Sequence, residues 1–138
     1  ATQFPDLNHA HVSNSNEHIL SLDSNWVNDV FIPRVQKRGA EIIQHRGKSS
    51  AASAASAIYD HLNILINGSN DWESMGIMRD NTYGISNEIF FSFPLKILNS
   101  NISIINKLTI NDQSMKYIKD TEKELLTERD IIKDILKN

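Results

Sequence analysis

Phe91-Ser92-Phe93-Pro94-Leu95-Lys96-Ile97 is the stretch that decides the fold class. Its apolar side chains fall on every second position, the period of a pleated strand with one buried face. Pro94 lacks the N–H that a ladder needs, which predicts an edge strand or a bulge at that point. Just downstream, Asn99-Ser100-Asn101 is a turn and Ile102 to Asn106 can pair back. Upstream, Trp72 to Met78 is a plausible third member of the same antiparallel sheet.

Further from this centre the period changes to that of helices. Ala51, Ala54, Ala55, Ile58, Leu62, Leu65 and Ile66 follow helical spacing, with Ser53, Ser56, Asp60, Asn63 and Asn67 largely opposite. The first half of this helix is almost all Ala and Ser, so it expects a tight neighbour. Ser49 or Ser50 can cap its start, and Gly68 can cap its end. An earlier helix from Asn25 to Arg46 follows the N-caps Asp23 and Ser24. Val27, Val30, Phe31, Val35, Ile42 and Ile43 make its apolar side, Pro33 predicts a kink or a late start, and Gly47 interrupts it. At the other end, Ser114 is the predicted cap of a long charged helix with Met115, Ile118, Leu125, Ile132 and Leu136 as its stripe. Glu122-Lys123-Glu124 and Glu128-Arg129-Asp130 read as its solvated face. Near the N-terminus, Asn8 to Val12, the turn formers Ser13 to Asn16, and Ile19 to Leu22 predict a hairpin. The sum is an α+β domain, with long helices packed on a small antiparallel sheet.

A chain of 138 residues is long enough for one core. Its 40% hydrophobic and 22% charged content is that of an ordinary globular protein. A net charge of -3, with 14 basic residues scattered among 17 acidic ones, argues against a nucleic-acid partner. The absence of cysteine removes disulfides, cysteine-based zinc sites and thiol nucleophiles, and fits a reducing, cytoplasmic compartment. No apolar run approaches the roughly 18 residues of a membrane span, so no membrane partner is expected. The start, Ala1-Thr2-Gln3-Phe4-Pro5-Asp6, has no signal-peptide pattern and no initiator Met, which predicts that more chain precedes it.

Few residues suggest chemistry. His9 and His11, two apart, would share one face of a strand, with His18 opposite; no fourth ligand or fixed carboxylate completes a metal site, and no metal is expected. Asp60-His61 invites a catalytic-triad reading, but neighbouring helix positions point about 100° apart and do not share a proton path. Ser49 and Ser50 are N-caps first, and the same hydroxyls at a helix start suit a carboxylate or another anion. None of the five glycines forms a G-x-G-x-x-G or a phosphate loop. On composition and spacing alone, the chain holds no assembled active site.

Six strings in order carry a resemblance. They are Ala1-Thr2-Gln3-Phe4-Pro5-Asp6, Val35-Gln36-Lys37-Arg38-Gly39-Ala40, Ser49-Ser50-Ala51-Ala52-Ser53-Ala54-Ala55, Ser74-Met75-Gly76, Tyr83-Gly84-Ile85 and Phe91-Ser92-Phe93-Pro94. Together with Glu122, Glu124, Leu125 and Glu128 of the terminal helix, they resemble the C-terminal half of cytosolic-type, NAD-dependent malate dehydrogenases, within the lactate/malate dehydrogenase superfamily. The likeness spans residues 1–138 as one substrate-side domain, and implies that the Rossmann NAD-binding domain is absent from this chain. It implies oxidation of malate to oxaloacetate in the intact enzyme. A His-Asp pair takes the hydroxyl proton, hydride passes from C2 to the nicotinamide, and arginines clamp the carboxylates. The catalytic histidine is expected two positions before Ala1, so no catalytic residue is expected here and the isolated chain should be inactive, without tight NAD binding.

Residue by residue, only the substrate-binding role of Ser49, and secondarily of Ser50, carries over. The Asn25 to Arg46 helix resembles one at the family's homodimer contact, so a homodimer and the missing N-terminal domain are the expected partners. Ile102 stands where tryptophan is common, and Lys107 replaces a frequent glycine. Two other readings stay open: a non-catalytic dimerising module built on the same fold, or a domain of a lactate-type dehydrogenase.

Overall fold

The computed structural model describes residues 4–10, 22–78, 81–133 and 135. Most of the expected N-terminal hairpin, with His11 and His18, lies outside the described residues, as does Leu136. The chain divides into two compact units, residues 1–50 and 51–138.

In the first unit, α1 (Ser24–Trp26) passes through a π-helical turn (Val27–Phe31) into α2 (Ile32–Arg46). Asp23 caps the start, its carboxylate accepting the Asn25 N–H at 3.0 Å. Pro33 accounts for the π turn. A proline cannot donate to the carbonyl four residues back, and its ring crowds that carbonyl. Widening the preceding turn, with the Ile32 N–H reaching Val27 O, seats Pro33 in the first turn of α2, where a missing N–H costs nothing. The expected kink is therefore one wide turn. Gly47, at φ 72°, ends α2 and donates to Ile43 O at 2.8 Å. Ile32 is the buried apolar residue of this unit's helices, and Trp26 stacks obliquely on Phe31.

In the second unit, α3 (Ala51–Asn67) leads to a three-stranded antiparallel sheet and then to α4 (Asp112–Ile132). The strands are β1 (Glu73–Ile77), β2 (Phe91–Leu98) and β3 (Asn101–Ile104), in spatial order β1-β2-β3. Phe93, Leu95 and Ile97 point into the core with Met75, Ile85 and Ile89, as the alternation demands. Ile118, Leu125 and Leu126 of α4 pack against them, as do Ile64 and Leu65 at the end of α3.

Three expectations need correction. Pro94 lies in the central strand, opposite Ser74 of β1, and not on an edge. It is tolerated because Pro94 O accepts from Ile105 N at 2.9 Å, just where the β3 ladder runs out. The reciprocal bond would need a Pro94 N–H, and the Tyr83 hydroxyl supplies a donor to Ile105 O in its place. Second, the cap of α4 is Asn111, whose side chain accepts from Ser114 N at 2.8 Å; Ser114 is itself helical and buried. Third, Glu122 faces inward and not to solvent. The apolar positions of the π turn, α2 and α3 are mostly open: Val30, Val35, Ile43, Ile58, Leu62 and Ile66 are all exposed.

Candidate functional site

Ser49 and Ser50 sit between the left-handed Gly47 that ends α2 and the first residue of α3, Ala51. Ser49 is exposed and Ser50 half-buried. A helix start offers N–H groups without intrahelical partners and the positive end of the helix dipole, so an anion is stabilised there. Ala51, Ala52, Ala54 and Ala55 all lie exposed, and their methyl groups leave the first turns of α3 open to close approach.

The remaining candidates do not gather around this position. Asp60 and His61 stand side by side on exposed α3 turns, the divergent arrangement expected of adjacent helical residues. His11 lies outside the described residues, while His9 is paired with an acidic residue. Its Nδ1 lies 2.7 Å from Asp6 Oδ2, while Asp6 Oδ1 accepts from the backbone N–H of Asn8 at 2.9 Å and its side-chain amide at 2.8 Å. Partial burial pushes the Asp6 carboxyl up, but the His9 and Asn8 hydrogen bonds outweigh it and hold the carboxyl below its ordinary value. Asp-x-Asn-His at a turn was the available signal, since an aspartate commonly bonds the N–H two residues on. Among the described residues, no group of three or more His, Cys, Asp or Glu side chains could hold a metal ion.

A second cluster was missed by reading the charge runs as solvated. Glu122 on α4 accepts from Ser86 N at 2.6 Å and from Lys119 Nζ at 2.7 Å, and Lys119 also donates to Gly84 O. Burial alone would raise the Glu122 carboxyl; the two donors and the nearby positive charge of Lys119 prevail, and its pKa lies below the ordinary value. Further along α4, Arg129 pairs with Glu88 and with Asp130. These contacts hold a loop to a helix.

Among the described residues, the glycines with positive φ serve turns and helix ends. Gly47 and Gly68 end helices, and Gly84 completes a tight turn. None opens a helix directly after a strand, as pyrophosphate binding in a Rossmann fold requires. Among the described residues, no helix is long and apolar enough to cross a membrane.

Comparison with known proteins gives one consistent answer. The model of the lactate/malate dehydrogenase α/β C-terminal domain matches residues 1–136. A malate dehydrogenase of Corynebacterium jeikeium is 43% identical over 137 residues, covering 97% of this chain and 41% of that protein. The chain thus spans about two fifths of this curated relative's length. Among solved structures, the malate dehydrogenase of Naegleria fowleri superposes with a TM-score of 0.86 at 37% identity, over 96% of this chain and 41% of the other. The lactate dehydrogenase of Trichomonas vaginalis, in complex with NADH and oxamate, gives 0.88 at 29% identity, over 98% and 43%.

Proposed function

This chain belongs to the lactate/malate dehydrogenase family, whose α/β C-terminal domain it matches over residues 1–136, and on that premise we propose that it is the substrate-side domain of an NAD-dependent malate dehydrogenase. The observation that carries this reading is the 43% identity to a malate dehydrogenase, sustained along almost the whole chain. On this reading NAD and the catalytic histidine belong to chain upstream of Ala1, and bound NAD supplies the hydride acceptor. The role of residues 1–138 is to complete the wall around the 2-hydroxy acid. Ser49 donates a hydrogen bond to a substrate carboxylate at the start of α3, and the alanines beside it keep that approach open. Ser50 serves chiefly the helix start. The protein is a dimer in this picture, with the π turn and α2 at the contact, and it works in the cytoplasm.

A lactate-type enzyme is the second reading, favoured by the Trichomonas vaginalis lactate dehydrogenase at 29% identity. Steady-state assays of the full-length protein with NAD and either malate or lactate separate the two. A kcat/KM for malate well above that for lactate supports the first reading; the reverse order overturns it. A hydrogen bond to a charged group contributes roughly 1.5–3 kcal/mol, so Ser49→Ala should lower kcat/KM for malate by about tenfold or more. Ser50→Ala should cost less. Equal kinetics for Ser49→Ala and the parent would remove Ser49 from the substrate site.

A further inference from the structure

Residues 81–90, between β1 and β2, are held to α4 by a regular alternation. Gly84 O accepts from Lys119, Ser86 N–H donates to Glu122, and the Glu88 carboxylate pairs with Arg129. Ile85, between the first two anchors, and Ile89, just past the last, turn the other way and are 2% and 6% exposed within the core, whereas Asn87 is exposed. Lys119, Glu122 and Arg129 are spaced by three and seven residues, which places them along one side of a helix. Three alternate residues, 84, 86 and 88, are thus tied to α4, and the two isoleucines pack into the core with the sheet.

The entrance to the segment is strained. Asn81 at φ 45° and Tyr83 at φ 56° are left-handed without being glycine. Such a backbone costs free energy and persists only where the surroundings hold it. Tyr83 is held by its hydroxyl on Ile105 O, which fixes the entrance while the anchors beyond it are separate contacts. Glu122 is the anchor with most at stake, because it is buried and it satisfies a main-chain N–H.

We infer that residues 84–90 form a strap that opens as one local unit about the pinned Asn81–Tyr83 turn, latched by Glu122 and, more weakly, by Arg129. Opening lifts Ile85 and Ile89 from the core without breaking the β2–β3 or α4 hydrogen bonds, so this part of the domain has its own, lower opening free energy. Hydrogen–deuterium exchange on the full-length protein, read by peptide mass spectrometry at neutral pH, tests it. Glu122→Gln keeps the side chain's shape and an acceptor oxygen but loses the charge. It should speed exchange in residues 84–90 by about tenfold, the effect of weakening a charge-assisted hydrogen bond, and leave residues 91–98 and 112–132 as they were. Arg129→Gln, at the partly exposed outer anchor, should act in the same place with a smaller effect, and it carries the test if Glu122→Gln does not fold. Unchanged exchange in 84–90 in the folded variants would overturn the strap. So would an equal rise across 91–98 and 112–132, because the segment would then open only with the whole domain.

Discussion

At the scale of single residues, two glycines in helical context make opposite demands. Gly68 sits at φ 81°, and an added Cβ would lie 2.9 Å from Ile97 O; the next N–H, of Ser69, bonds that same carbonyl at 3.0 Å. Gly68→Ala must therefore take up a left-handed conformation and push against the β2 backbone, and should destabilise by about 2–3 kcal/mol. Gly39 lies within α2, and a Cβ there meets nothing within 4 Å. Replacing an interior helical glycine by alanine should stabilise by up to about 1 kcal/mol. Urea unfolding midpoints of the two variants should move in opposite directions. A common direction would mean that one of the two backbone environments is not as described. The Tyr83–Pro94 relation has the same local character. Tyr83→Phe removes the donor that stands in for the absent Pro94 N–H, and should cost about 1 kcal/mol. In a Pro94→Ala background the restored N–H can reach Ile105 O, and the same substitution should cost distinctly less. Equal costs in both backgrounds would dissolve the link. Neither the hydroxyl's target nor the proline's place in a central strand was legible in the sequence. Both depend on where the β3 ladder ends, and that is set by pairing across the sheet.

Elements were read with more success when their own period governed them. Alternation gave β2, small-residue helical spacing gave α3, and left-handed glycines ended α2 and α3 where expected. Misreadings came where a partner decides. Asn111 outcompetes Ser114 as the cap of α4 because its side-chain oxygen accepts from the N–H three residues on, the usual N-cap geometry. Glu122, inside a charge run, turns inward because Ser86 N–H and Lys119 await it. The tie between α4 and the 84–90 segment therefore carries a pH signature. The folded Glu122 carboxyl titrates below its ordinary value, while in the unfolded chain it should titrate near the normal ~4.3. A depressed folded pKa contributes stability that is fully present above the unfolded value and is lost as pH falls through the folded one. Stability measured by denaturant between pH 6 and pH 3 should fall less steeply in Glu122→Gln than in the parent, the difference opening below about pH 4.5. Superimposable profiles would show that this carboxylate is not linked to folding. On α3, the period was legible but its destination was not. Ile58 is 61% exposed and Ile66 72%, so the stripe is complete in the sequence and uncovered in this chain.

The whole molecule poses the same question at larger scale. Among the described residues seven apolar side chains are buried, whereas seventeen large ones are exposed, on α2, α3, the ends of the sheet and the end of α4. Scattered exposed apolar residues are ordinary, but a row along one helix marks a surface that something covers. Since the chain spans 41% of the malate dehydrogenase it resembles, the covering surface is expected in the remaining part of the enzyme. The family was legible in ordered strings of residues, whereas the chemistry was not, because no catalytic group stands among residues 1–138 on this reading. Two consequences follow for the 138-residue chain produced alone. It should bind a hydrophobic dye, and Ile58→Gln with Leu62→Gln should reduce that binding while changing its stability by less than about 0.5 kcal/mol per site, as at exposed positions generally. In the full-length protein the same pair should cost several times more, because on the proposed reading the stripe is covered there. Equal small costs in both forms would leave α3 uncovered in the enzyme as well. Given malate and NAD, the chain alone should produce no NADH while the full-length protein does. Turnover by the purified 138 residues would place the proton acceptor inside this domain, and the division of labour proposed here would have to be abandoned.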